Sequence, residues 1–125
     1  MKPIGIELDN LIRAISKARE ERCITCGVKY GLTNSHYFKR ANRHFRWDIR
    51  TNHTQCIKCN GLHNSNPKPY RDWMITRYGI AGVEQMEREA HIPKKWTNEE
   101  LREIKSKLQK YLMFLSKETK TNYKL

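Results

Sequence analysis

A chain of 125 residues with 38% hydrophobic residues has length for one domain and apolar material for only a modest core, so a metal staple is expected to carry part of the folding. Its 25 Lys and Arg against 13 Asp and Glu leave a formal charge of +12, which points to nucleic acid or an anionic surface as partner. No stretch is long and apolar enough to span a bilayer, and Met1-Lys2-Pro3-Ile4-Gly5 lacks the apolar core of a signal peptide, so the chain is expected to be soluble and cytoplasmic, with no membrane partner.

In chain order, Leu8, Leu11, Ile12, Ile15 and Ala18 recur at helical spacing and predict an amphipathic packing helix over about 8–21, with Asp9 or Asn10 near its start. Cys23-Ile-Thr-Cys26-Gly27 reads as a zinc knuckle, the glycine relieving the backbone after the second ligand. A polar turn over 29–34 leads to a short strand at Ser35-His36-Tyr37-Phe38, and a second strand is expected from about Trp47 to Thr54. The second knuckle, Cys56-Ile-Lys-Cys59, leads through Asn60 into a short helix, although Asn60-Gly61 is first of all a turn signal. Beyond the stiff connector 64–69, Tyr70, Trp73, Met74, Arg77 and Tyr78 predict a helix stopped by Gly79, its aromatics covering the small core. Val83, Met86 and Ala90 suggest a further short helix before Pro93. Thr97 and Glu100 form a capping box, and Leu101, Ile104, Leu108, Tyr111, Leu112 and Leu115 line one face of a last helix whose tail after Lys117 is expected to fray. The parts are thus an N-terminal helix (1–22), a core (23–80) and a C-terminal helical region (81–125).

All four cysteines fall in the two Cys-x-x-Cys pairs, which makes a tetrahedral four-thiolate zinc site the leading reading and two disulfides the competing one. Between Cys23 and Gly79 there are ten basic residues and two acids, so eight of the twelve excess charges lie in that window, together with four of the five histidines. A solvated surface would account for any single lysine. The clustering favours phosphate contact by Lys39, Arg40, Arg43, Arg46, Arg50, Lys58, Lys68 and Arg71.

The residues Cys23-Ile-Thr-Cys26-Gly27, Ser35-His36-Tyr37-Phe38-x-Arg40, Arg46-Trp47-Asp48, His53-x-Gln55-Cys56-x-x-Cys59-Asn60, Tyr70-Arg71 and Tyr78-Gly79 carry a resemblance over about residues 8–80. Their order resembles the HNH, or ββα-metal, endonucleases with an added zinc clamp, and most closely the phage recombination protein NinG (Rap) family. The resemblance implies an α+β fold with a small treble-clef-like core and flanking helices. It also implies a phosphodiester hydrolase acting on branched recombination DNA such as a Holliday junction, with Zn2+ held by Cys23, Cys26, Cys56 and Cys59. His36 becomes the general base, because neutral imidazole near pH 7 suits proton removal, and Asn60 becomes an oxygen ligand for a catalytic Mg2+ or Mn2+.

Two departures stand out. Many HNH enzymes place a metal-binding Asp directly before the catalytic His, where this chain has Ser35, so either fewer protein ligands hold the metal or Asp48 or His63 contributes. The middle Asn that orients the His is matched equally by Asn52 and by Thr51 on counting back from Cys56. His44, His53 and His63 are otherwise read as phosphate contacts or structural hydrogen-bonders. The competing functions are a zinc-dependent DNA-binding module without catalysis and a nuclease nicking linear duplex. Resolving a four-way junction takes two symmetric cuts, so a homodimer is expected, with the Leu101–Leu115 seam either building it or packing on its own domain.

Overall fold

The computed structural model describes residues 3–123. The elements are α1 (Ile4–Arg19), β1 (Leu32–His36), β2 (Asn52–Cys56), α2 (Ile57–Leu62), α3 (Lys68–Tyr78), α4 (Ile80–Glu89) and α5 (Asn98–Tyr123). Strands β1 and β2 form an antiparallel ribbon in which Ser35 pairs with His53 and His36 with Asn52. The molecule is therefore a mixed α+β domain, and among the described residues no helix is long and apolar enough to cross a membrane.

Several elements begin where packing, not local pattern, dictates. Helix α1 starts four residues before Leu8, directly after Pro3, whose carbonyl accepts the Ile6 and Glu7 amides. This frees Asp9 from any role at the helix start. The first strand lies three residues earlier than Ser35, because Leu32 pairs with Cys56, while Tyr37 and Phe38 turn away to pack with Phe45. The second strand is delayed to Asn52: a turn at Asp48 is closed by the Thr51 amide and by Thr51 Oγ1 on the Phe45 carbonyl at 3.1 Å. Asn60-Gly61 lies inside α2, whose first turn is capped by Cys56 Sγ accepting the Cys59 amide at 3.4 Å.

Two apolar clusters flank the ribbon. Tyr37, Phe45, Tyr70, Met74, Val83 and Met86 join it to α3 and α4, which meet at Gly79 with φ of 80°. Leu8, Ile12, Ile15, Trp47 and Leu108 join α1 to α5, with Leu101, Ile104, Tyr111, Leu112 and Leu115 packed against them. The seam considered for a dimer thus packs on α1 of its own chain, and Leu108 is 5% exposed. The capping box forms as expected, with Thr97 Oγ1 accepting the Glu100 amide at 3.1 Å and Glu100 Oε1 the Thr97 amide at 3.0 Å. Helix α5 continues past Lys117 to Tyr123, so the chain after Lys117, expected to fray, is helical there, and its last two residues lie outside the described ones.

Candidate functional site

The two knuckles converge. The four cysteine sulfurs lie within 4.8 Å of one another, and Cys26 Sγ stands 3.7 Å from Cys56 Sγ. Zn–S bonds of about 2.3 Å in a tetrahedron require S···S edges of about 3.8 Å, whereas a disulfide requires about 2.05 Å. The turn is set by Gly27 at φ 84°, its amide on the Cys23 carbonyl and the Cys23 amide on the Val28 carbonyl, both at 2.9 Å. Burial raises the Cys23 thiol, but hydrogen bonds from Thr25 and the neighbouring backbone outweigh it and bring the pKa to about 6. Cys59 goes the other way: a Thr25 hydrogen bond lowers it, yet burial and the three adjacent sulfurs push it up to about 12. Four sulfurs this close need a cation to ionise together, and the donor set is compatible with structural zinc.

In the middle of α2, directly after Cys59, Asn60 reaches the ribbon. Ser35 Oγ donates to Gln55 Oε1 at 2.6 Å or to Asn60 Oδ1 at 2.8 Å, and the Ser35 carbonyl accepts the Tyr70 hydroxyl at 2.8 Å. The two positions at which the resemblance expects metal ligands are therefore adjacent, with no carboxylate between them. The Asp48 carboxylate accepts from Arg50 at 2.7 to 3.3 Å. His63 is buried with Nε2 2.7 Å from the Tyr37 carbonyl. Among the described residues neither hydrogen-bonds the Asn60 side chain. Among the described residues, the four cysteines are the one group of three or more His, Cys, Asp and Glu side chains close enough to hold an ion.

His36 leaves the strand on the face opposite to Ser35, as strand alternation requires, and so stands on the α1 side of the ribbon. It is half-buried in a pocket of about 230 Å3 that it shares with Asp9, Arg13, Thr33, Asn34 and Arg40. Burial holds its pKa below the usual 6.5; Asp9 opposes this, and the charges of Arg40, Arg46 and Arg13 add to it. Neutral imidazole is the resulting form near pH 7, and among the described residues the ring makes no hydrogen bond. Asn52, not Thr51, is its cross-strand partner. Its amide is fully used: Nδ2 donates to the Asp48 carbonyl at 2.8 Å and Oδ1 accepts from Asn34 Nδ2 at 3.0 Å, while Ser16 Oγ donates to Asn34 Oδ1 at 2.6 Å.

The expected DNA-contacting residues divide by partner. Arg40 and Arg46 bond Asp9, Arg50 bonds Asp48, Lys68 bonds Asp72 and Arg71 bonds Glu87. Among the described residues Lys39, Arg43 and Lys58 are exposed and carry no ion pair. The sequence reading expected α1 as a packing helix and missed what it and its C-cap Glu20 bring to the site. Asp9 accepts from Arg40, Arg46 and Trp47, Arg13 lines the His36 pocket, and Glu20 binds His53 Nδ1 at 2.6 Å and the Thr54 amide at 2.8 Å. The one available signal was the Asp9/Arg13 pair at i,i+4 beside the apolar stripe of Leu8 and Ile12.

Fold and site together define a small α+β protein built around a polar two-stranded ribbon and a four-thiol cluster compatible with zinc. Residues 7–118 match the family described as Bacteriophage Lambda NinG protein, and the chain belongs to that family. It is 38% identical over 123 residues to the protein ninG of Salmonella phage P22, covering 90% of this chain and 59% of the relative. The protein ninG of Escherichia phage 933W gives the same identity and coverage. That of Escherichia phage lambda is 35% identical over 123 residues, covering 90% of this chain and 58% of the relative. The chain thus spans less than two thirds of these relatives. No solved structure matches it.

Proposed function

We propose that this chain is an HNH-type endonuclease that hydrolyses phosphodiester bonds in DNA, with His36 as general base and branched recombination DNA, such as a Holliday junction, as substrate. The observation that carries the reading is the half-buried His36 imidazole, held neutral in a pocket that it shares with Arg13, Arg40 and the arginine-bound Asp9, one residue from the Ser35–Asn60 contact. Hydrolysis requires a base to activate water and positive charge on the phosphate as it becomes pentavalent. His36 supplies the first and the surrounding arginines part of the second. Asn60, with Ser35 beside it, offers oxygen donors but no carboxylate. Mg2+ or Mn2+ would be held there chiefly by water and the substrate's own phosphate, and supplies charge neutralisation at the scissile group. Paired cuts across a junction call for a C2 homodimer.

The hydroxyl in place of a carboxylate favours a second reading: a DNA-binding module, clamped by zinc, that does not cleave. One experiment separates the two. Wild-type and His36→Ala protein are incubated with four-way and linear DNA in Mg2+, Mn2+ or EDTA. Cleavage by wild type in Mg2+ or Mn2+, abolished by EDTA and by the substitution while DNA binding persists, is the expected result. Equal cleavage by His36→Ala would sink the catalytic assignment, and metal-independent binding with no cleavage would establish the second reading.

A further inference from the structure

We propose that α1 and the segment after β1 form a phosphate-binding pocket in which Arg13 and Arg40 take a backbone phosphate of DNA, with Asp9 as the residue that positions the arginines. This rests on the nucleic-acid reading above and adds α1 to the surface that grips the substrate.

The pocket beside His36 has a volume of about 230 Å3, room for several waters at about 30 Å3 each. Arg13 projects into it from α1, exposed and, among the described residues, without an ion pair. Arg40 is 62% exposed at its side chain and places Nη2 2.8 Å from Asp9 Oδ2. That contact uses one of five guanidinium N–H donors, so Arg40 is oriented without being consumed. The Asp9 carboxylate is itself only 9% exposed and saturated: besides Arg40 it accepts Arg46 Nε at 3.1 Å, Arg46 Nη2 at 2.7 Å and Trp47 Nε1 at 2.8 Å. Burial disfavours its charge, but the Arg46, Arg40 and Trp47 hydrogen bonds prevail and hold its pKa at about 2, so it stays ionised. One carboxylate among three arginines leaves an excess of two positive charges facing open space. A second anion completes that balance, and a phosphate accepts bidentate guanidinium contacts.

The position of Asp9 separates this from a surface that is merely basic. By Coulomb attraction alone, Asp9→Asn raises the formal charge from +12 to +13 and tightens binding to DNA. If Asp9 sets the arginines, the same substitution weakens it.

Binding of a four-way DNA is measured in EDTA over a range of salt for wild type, Asp9→Asn, Arg13→Ala and Arg40→Ala, with melting curves to establish folding. Asp9→Asn is expected to weaken binding several-fold, and Arg13→Ala to lower the salt slope by about 1. Asp9→Asn binding as tightly as wild type or tighter, or an unchanged slope for Arg13→Ala, overturns the proposal. Should Asp9→Asn unfold, the exposed Arg13 and Arg40 variants decide it. Inorganic phosphate titrated into wild type, followed by NMR at the arginine Nε–Hε groups, tests the pocket without DNA. Shifts at Arg13 and Arg40 that exceed those at Arg50, which is held on Asp48, support it, and equal shifts at all three overturn it. A protein that binds phosphate there yet no DNA keeps the pocket and loses the nucleic-acid reading.

Discussion

The protonation state of His36 is set by its environment. In water an imidazole titrates near 6.5, but burial and the nearby arginines favour the uncharged ring, so its folded pKa lies below that value. A base is active when deprotonated, so the acid limb of the cleavage rate is expected below pH 6.5. A limb at or above 6.5 in single-turnover measurements would assign the titration to another group. Asp9 has the same sense of linkage, here because the fold favours its charged form. Its pKa falls from 3.8 to about 2, so its stabilising contribution is complete above the ordinary carboxylate value and is lost as pH drops toward 2. Ser35 is the third decisive side chain. Ser35→Asp places a carboxylate against Asn60 at a position 0% exposed. It is expected to destabilise the metal-free domain and to gain more melting temperature from Mn2+ than wild type does. An equal Mn2+ response in both proteins would show that the Ser35–Asn60 corner is not a cation site.

Among the elements, α2 and α5 carry the clearest consequences. Cys56 closes β2, caps α2 through Sγ and belongs to the thiol cluster; Cys56→Ser keeps the strand pairing and a side-chain cap and removes only the fourth thiol. It is expected to unfold the domain, as chelation does for small zinc folds; a wild-type melting curve with no bound zinc would point to a core that stands without metal. On α5, Leu108 packs into the α1 cluster, and Leu108→Ala should cost about 2 to 5 kcal/mol by denaturant unfolding. Met113 and Phe114, 61% and 53% exposed, lie outside that seam. Phe114→Glu should therefore stay within about 0.5 kcal/mol of wild type, whereas a large loss would mean that this outer face is also buried, for instance against a second copy.

For the whole molecule the governing quantity is the charge of +12. Lys39, Arg43 and Lys58 carry no ion pair among the described residues, and Arg40 is held but exposed, so a phosphate backbone can displace counterions here without breaking the fold. DNA affinity is expected to fall steeply and linearly on a log–log plot against salt, and a flat dependence would remove phosphate contact from the proposal. Lys68 and Arg71 differ, because Asp72 and Glu87 already neutralise them. Their substitution should change the salt slope less than that of Lys39 or Arg43.

The thiol clamp was legible in the sequence because metal ligation demands fixed residue types at short, fixed spacing, and Cys-x-x-Cys states both. The helices from α3 onward were legible for a related reason: their periodicity and their punctuation by Gly79, Pro93 and the Thr97–Glu100 box are local. The ribbon was less so, since β2 is Asn-His-Thr-Gln-Cys, all buried, and no hydrophobic alternation marks a strand whose burial is sustained by hydrogen bonds to α1 and α3. Only the tertiary structure decided that Asn52 and not Thr51 faces His36, that Ser35 meets Asn60, and that α1 brings Asp9 and Arg13 to the pocket. It likewise decided that the α5 seam packs on α1. Each of these joins residues distant in the chain through cross-strand register or helix docking, and neither leaves a periodic or spaced trace in a single sequence.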